Sequence, residues 1–358
     1  MNKTPNDKLL TIYKTDKITK NALTQNWKRK EVISHYKNDL RKYFNKKIHN
    51  KNVRAKGRRH LDLVKILNYG SLNVDHVYSV DHIVKEGETI LSDDLNIFCG
   101  GKGLNQSIAL AKAGVPVYHA GMIGEDGDLL LDACREYGVN TKYLKKLPVS
   151  GGHTVIQVDK KGQNSIILFG GTNQMQTKEY MDYVLSDFNA GDYLLLQNEI
   201  NLLDYIIDKA YEKGMRIILN PSPFDDKLKK CDFSKIYLFL LNEVEGEQFT
   251  GQSEPEKMLK ALREKLPDAK FVLTLGRAGA TYADANREIH QDIFPTKAVD
   301  TTAAGDTFTG FFIAGLLEEY DISEALRIAS KAASIAVSRE GAVASIPTIQ
   351  EVMKTLKQ

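Results

Sequence analysis

Residues 192–199 read DYLLLQNE, and three similar stretches follow: RIILNPSP at 216–223, YLFLLNEVE at 237–245 and FVLTLGRAG at 271–279. Each is a short apolar run that ends in polar residues or glycine. Helical periodicity fills the gaps, around 206–213 and over Pro255–Lys265. Strands and helices that alternate in this way predict an α/β fold, a doubly wound and mostly parallel sheet with helices on both faces. Ligands of such sheets lie at the carboxyl ends of the strands. The polar strand ends are therefore the first candidates: Asn73 and Asp75, Glu199, Asn220, Asn242 with Glu245, and the 276–279 loop.

The upstream half has a different texture. Residues 64–80 (VKILNYGSLNVDHVYSV) read as an apolar strand ending in a turn that presents Asn73 and Asp75. An amide beside a carboxylate can donate to and accept from vicinal hydroxyls, and the same pair also describes an Asx turn. A polar, strand-like passage over 76–98 leads to GGKGLNQSIALAKAG at 100–114. Its glycines allow close backbone approach, and Asn105 is expected to open a helix. Lys102 lacks the frame of a Walker A loop, and no GxGxxG is present. GMIGEDG at 121–127 reads as a turn before a helix, and 153–169 alternates around Lys161-Gly162 as a hairpin would. These hairpins do not belong to the βαβ rhythm and predict a second, smaller sheet.

Residues 299–310, VDTTAAGDTFTG, set Asp300 and Asp306 around a run of small residues just before the apolar pattern Phe308, Phe311, Phe312 and Leu316. A bare backbone at a helix start offers unpaired N–H groups to an anion, and an acid there can take a proton from an attacking hydroxyl. A helix cap has the same local pattern.

With 358 residues, 42% apolar and 27% charged, the chain has the composition of an ordinary globular protein. Its three cysteines, Cys99, Cys134 and Cys231, have no CxxC spacing, which argues against a disulfide framework or a zinc site. No signal-peptide pattern is present and no apolar run approaches the roughly 20 residues that span a bilayer, so no membrane partner and a cytoplasmic location are expected. The net charge of +3 conceals a split: residues 1–60 carry 18 Lys and Arg against 4 Asp and Glu. Apolar residues at helical spacing make 1–62 a basic helical extension, either a helix-turn-helix that binds DNA or a solvated basic arm.

Taken together and in order, GSLNVD (70–75), GGKGLNQ (100–106), LNEVE (241–245), LGRAG (275–279), VDTTAAGD (299–306) and SREGAVASIP (338–347) resemble the ribokinase family of pfkB-type carbohydrate kinases. The resemblance covers about 295 residues, from 63 to 358. It implies a ribokinase-like kinase domain with a small β lid at about 76–99 and 151–170, and transfer of a phosphoryl group from ATP to the primary hydroxyl of a pentose, with Mg2+ and K+ as cofactors. By that resemblance Asp306 is the base, and the amides of Ala303, Ala304 and Gly305 form the anion hole. Asn73, Asp75, Gly101, Lys102, Asn105 and Glu199 match sugar contacts. Asn242 and Glu245 match the element that orders Mg2+ and its waters, and Gly276, Arg277 and Gly279 the nucleotide-phosphate loop. Asp300 and Thr302, with Ala336, Arg339, Gly341 and Ser345, match the loops of a monovalent-cation site. Lids in similar kinases often clasp, so a homodimer is implied.

Asn73 favours ribose over deoxyribose, because an apolar residue there would leave a 2-hydroxyl unpaired. Phe311, Phe312 and QNEI at 197–200 depart from the usual surroundings in ribokinases, which leaves another pfkB-type sugar or a nucleoside as an alternative substrate. A DNA-binding regulator that senses a sugar through a kinase-like domain is the alternative from a different class.

Overall fold

Alternate residues of the central strands serve opposite faces of one sheet, so these strands are apolar throughout. The computed structural model describes residues 64–357; the extension at 1–62 and its expected DNA binding lie outside them. The main sheet comprises β1 (Ile66–Tyr69), β4 (Val117–Ile123), β5 (Asn140–Lys146), β8 (Tyr193–Gln197), β9 (Arg216–Asn220), β10 (Leu238–Asn242), β11 (Lys270–Thr274), β12 (Ala280–Ala283) and β13 (Glu288–Gln291). Their order is β13-β12-β11-β10-β9-β8-β1-β4-β5. It is parallel except at the β11-β12-β13 edge.

Tyr193 and Leu195 of β8 join one apolar cluster, and Leu194 and Leu196 the other. The first cluster holds α1 (Lys102–Lys112), α2 (Asp128–Glu136), α7 (Ala304–Leu317), α8 (Ile322–Val337) and α9 (Ile349–Thr355) against the sheet. The second holds α3 (Lys178–Leu185), α4 (Leu203–Glu212), α5 (Glu243–Thr250) and α6 (Pro255–Lys265). The alternation over 192–279 thus builds the doubly wound half, and the leftover hairpins form a separate sheet. That lid sheet runs β3-β2-β6-β7, with β2 (Asn73–Val80), β3 (Asp94–Gly100), β6 (Gly152–Asp159) and β7 (Asn164–Phe169).

Three local expectations change. Asn73 and Asp75 are not in a turn: β1 stops at Tyr69, residues 70–72 bend, and both side chains belong to the first lid strand. The bend is possible because Gly103 comes so close to Gly70 and Ser71 that a Cβ on it would meet Ser71 N at 2.5 Å. Helix α1 begins at Lys102, so Asn105 lies inside its first turn. Gly121–Ile123 closes β4, and the turn before α2 is confined to residues 125–127. Phe311 and Phe312, which departed from the family pattern, are 1% and 0% exposed in the first cluster, with Phe312 stacked on Phe308 at 6.1 Å. They fill the core beneath the sheet and do not face a substrate. Among the described residues no helix is long and apolar enough to cross a membrane, and Cys99, Cys134 and Cys231 are free thiols.

Helices α1 and α7 cross in near contact at Gly310. A Cβ there would meet Ala109 Cβ at 2.4 Å and the Ala109 and Leu110 backbone at 2.9 Å. One turn toward each N-terminus, the same faces carry Asn105 and Gln106 on α1 and Asp306 on α7. Gly310→Ala would gain about 1 kcal/mol of helix propensity but lose about 1–3 kcal/mol or more to overpacking against backbone that cannot yield. The expected outcome is a lower melting temperature together with reduced turnover, read by thermal denaturation and steady-state kinetics on one preparation. An unchanged melting temperature would contradict the close crossing.

Candidate active site

Asp306 enters the first turn of α7 directly after Ala303, whose φ of 57° is left-handed. The Ala304 amide donates to Thr301 O at 3.2 Å. The small residues at 303–305 leave this backbone uncovered, and Ala303, Gly305 and Asp306 line an open cleft with Lys102, Asn242 and Glu245. Asp306 accepts from Asn105 Nδ2 through Oδ2 (3.0 Å) and from Gln106 Nε2 through Oδ1 (2.9 Å). Burial raises its pKa above the ordinary carboxylate value, opposed by the Lys102 charge and the two amide donors. A carboxylate with a raised pKa is a stronger proton acceptor than a solvated one.

Lys102 is the only cation lining the cleft among the described residues. Desolvation works to depress its pKa, but Glu199, Asp306 and Glu245 outweigh that and raise it, so it stays charged. Its ammonium lies 3.5 Å from Glu199 Oε1. The other carboxylate oxygen, Oε2, accepts from the Lys102 amide at 3.1 Å and from the Ser71 hydroxyl. Gly101, at φ 92°, turns the chain so that both Lys102 groups can reach this acid.

On the lid side, Thr154 Oγ1 donates to Asp75 Oδ1 at 2.6 Å. Burial raises the Asp75 pKa, and the Thr154 hydrogen bond partly offsets it. Asn173 Oδ1 accepts from the Leu72 amide at 3.1 Å, which directs Asn173 Nδ2 to Asn73 Oδ1 at 2.7 Å. Asn73 is thereby left with its donor end for a ligand, and Asp75 with an acceptor. Gly100 and Gly152 are small for the same reason. A Cβ at Gly100 would meet Asp75 Oδ2 at 1.8 Å, and one at Gly152 would meet Asn73 Oδ1 at 2.4 Å. Asn105 Oδ1 is buried without a partner. A hydroxyl placed between Asp306 and the lid would supply the missing donor.

On the other flank, Asn242 caps α5. Its Oδ1 accepts from the Glu245 amide at 2.9 Å, while its N–H and Nδ2 donate to the two Glu245 carboxylate oxygens at 2.9 and 3.0 Å. Asn242 pairs in register with Thr274 of β11, so the 276–279 loop opens at the same end of the sheet. Gly276 and Gly279 have φ of 49° and 91°, and a Cβ on Gly279 would strike Gln291 O at 2.2 Å. Arg277 is exposed on that loop.

Asp300 is set apart from the cleft. Its Oδ1 accepts from Thr302 N (2.8 Å) and Oγ1 (2.6 Å), and its Oδ2 from Gly341 N (3.0 Å), tying the two sequence-distant loops together. Burial opposes ionisation, but the three donors win and lower its pKa. Beside it, Ala336 and Ser345 are fully buried, Ser345 Oγ donates to Ala342 O at 2.8 Å, and Arg339 reaches Glu351 at 2.9 Å.

Several polar residues here received no role in the sequence reading. Ser71, Asn68, Gln106, Gln197, Thr154 and Asn173 act on the candidate residues or on one another. Gln106 and Gln197 stood inside quoted motifs, and consecutive polar residues in the apolar α1 pattern (Asn105, Gln106, Ser107) were the available signal.

The profile of the pfkB family carbohydrate kinases matches residues 64–349. Ribokinase of Haemophilus influenzae is 34% identical over 301 residues, covering 80% of this chain and 97% of the relative. Deoxyribokinase of Salmonella typhi is 31% identical over 296 residues, covering 79% and 95%. The structure of Arabidopsis thaliana ribokinase complexed with ribose and ATP superposes with a TM-score of 0.73 at 30% identity, covering 82% of this chain and 99% of that one.

His119 lies under the site, fully buried. It contacts Ser107 Oγ through Nδ1 (2.7 Å) and Gly70 O through Nε2 (3.3 Å). Burial depresses its pKa from 6.5 to about 4. The folded state therefore resists its protonation. Stability is intact above pH 6.5 and falls as the pH drops from there toward 4, by about 2 kcal/mol between pH 7.5 and 5. Urea unfolding at the two pH values measures this, and His119→Gln is expected to shallow the dependence by that amount.

Proposed function

From a chain that belongs to the pfkB family of carbohydrate kinases, we infer an ATP-dependent sugar kinase that phosphorylates the primary hydroxyl of D-ribose. The observation that carries the reading is the position of Asp306, with the α7 N-terminus beside it, Lys102 and Glu245 in the same cleft and Asn105 bonded to it. Asp306 takes the hydroxyl proton as the hydroxyl oxygen attacks the γ-phosphorus and the bond to the departing ADP oxygen breaks. The amides of Ala303 and Gly305, with that of Ala304 shared with Thr301 O, and the positive end of α7 stabilise the charge of the transferring group. Asn73 donates to, and Asp75 and Glu199 accept from, the sugar hydroxyls. Gly101, Lys102 and Asn105 close the sugar site, and Gly276, Arg277 and Gly279 form the nucleotide-phosphate loop.

The residues fit the expected ions. Both Glu245 oxygens are held by Asn242. That arrangement suits an ion held by phosphates and water, with Glu245 and Asn242 ordering the waters; Mg2+ would supply charge neutralisation of the phosphates. The loop pair joined by Asp300, with Thr302, Ala336, Arg339, Gly341 and Ser345, would hold K+ through its backbone and side-chain oxygens.

Ribose is favoured over deoxyribose because the Asn73 donor would lose its acceptor with the 2-deoxy sugar. The lid leaves Leu95, Ile97 and Phe98 on β3 and Ile166 to Phe169 on the edge strand β7 well exposed, a surface that a second lid would cover in a homodimer. A sugar-sensing regulator has no need of a base, an anion hole and a phosphate loop at one cleft, which favours the kinase.

With ATP and a panel of pentoses and nucleosides, kcat/KM is expected to be highest for ribose, and Asp306→Asn to lose about 10²–10⁴ in kcat. Equal rates on ribose and its rivals would overturn the substrate, and a loss of only a few-fold would overturn the base. Replacing K+ by Na+ is expected to slow turnover. Sedimentation is expected to show a dimer that Ile167→Lys weakens.

A further inference from the structure

Gln106 is fully buried and touches three polar groups. Its Nε2 donates to Asp306 Oδ1 (2.9 Å) and Asn220 Oδ1 (3.2 Å), and its Oε1 accepts from Gln197 Nε2 (2.6 Å). A side-chain amide can be turned end for end at almost no cost in shape, so something must decide which end faces the carboxylate. Here two backbone carbonyls, which only accept, decide it. Leu240 O takes Asn220 Nδ2 at 2.9 Å, so Asn220 must turn its oxygen to Gln106. Gly103 O takes Asn68 Nδ2 at 2.7 Å, so Asn68 turns its oxygen to Gln197 and accepts from Gln197 Nε2 at 3.1 Å. Gln197 then presents its NH2 group to Gln106, whose own NH2 is driven onto Asp306.

We propose that Gln106 is the positioning residue of Asp306, held in its donating orientation by a relay of buried amides, Asn68 and Gln197, anchored on the Gly103 carbonyl. The relay is maintained against local preference, because Gln197 Oε1 is left buried without a partner. Space for that oxygen exists because residue 70 is glycine; a Cβ there would meet it at 2.2 Å. Flipping Gln106 would set its oxygen against the Asp306 carboxylate and its NH2 against that of Gln197, so intermediate arrangements are disfavoured at both ends.

This inference rests on the reading of Asp306 as base, and it adds how the carboxylate is held: Oδ1 accepts from Gln106 and Oδ2 from Asn105, so both oxygens are oriented by amides of α1. Gln106 also steadies the charged form of a carboxylate whose burial works against it. The charged groups around that carboxylate are Lys102 on α1, Glu199 after β8 and Glu245 on α5, and α7 brings no other titratable side chain.

The test is the pH profile of kcat/KM for ribose phosphorylation. Gln106→Leu removes the donor and is expected to move the acid limb up by about one pH unit and to lower kcat about tenfold, with the ribose KM changed by less than about threefold. Gln106→Glu keeps the shape, places a second acid on Oδ1 and moves the limb further up; it carries the test if the Leu variant does not fold. Gln197→Leu, which touches nothing on the substrate, is expected to move the limb in the same direction and to add nothing in the Gln106→Leu background. An acid limb that stays in place in the Gln106 variants, or additive effects at 106 and 197, would overturn the relay. Asp306→Asn run in parallel separates the two ideas: if it abolishes turnover while the Gln106 variants keep the limb, only the positioning role falls. If Asp306→Asn keeps its rate and its acid limb, the base and the relay fall together.

Discussion

The active-site geometry depends on how closely two helices can approach. Gly310 lets the backbone of α7 settle against Ala109 and Leu110 of α1, and one turn away this brings Asp306 within hydrogen-bond distance of Asn105 and Gln106. The crossing lies in an apolar cluster that includes Phe308, Phe311, Phe312, Leu104 and Ile108. Core packing and the position of Asp306 are therefore one constraint, since a close-packed interior passes a small displacement on without absorbing it.

On that frame the charges are arranged around Lys102. It lies among Glu199, Asp306 and Glu245, and the excess of acid keeps it protonated despite its burial. Its charge in turn limits how far burial raises the pKa of Asp306. The result is a carboxylate more basic than a solvated one, with Lys102 and two amide donors opposing the rise. Beneath it, a layer of amides with no charge of its own connects Asp306 to the backbone at Gly103.

Several motifs have both a structural and a chemical use. Asn242 and Glu245 satisfy the first amides of α5 as a reciprocal cap, and the same contacts hold the carboxylate still at the mouth of the cleft. Asp300 closes a turn through Thr302 and also joins it to Gly341, bringing two loops to one place. At Asp306 the same dual reading arose from sequence, as cap or as base. The side chain does not cap α7; it accepts from α1 amides across a helix interface.

What the sequence determined by itself was the doubly wound sheet and the separate small sheet, because strand and helix periodicity are local properties of a chain. Even so, it misplaced Asn73 and Asp75, since a bend that Gly103, some 30 residues away, makes room for is not visible near them. It also counted Phe311 and Phe312 among the departures that leave another substrate open, and only burial assigns them to the core. The roles of Gln106, Gln197, Asn68 and Asn173 were decided by tertiary structure alone. Whether a buried amide donates or accepts depends on partners up to about 200 residues distant, which meet only when the sheet has formed.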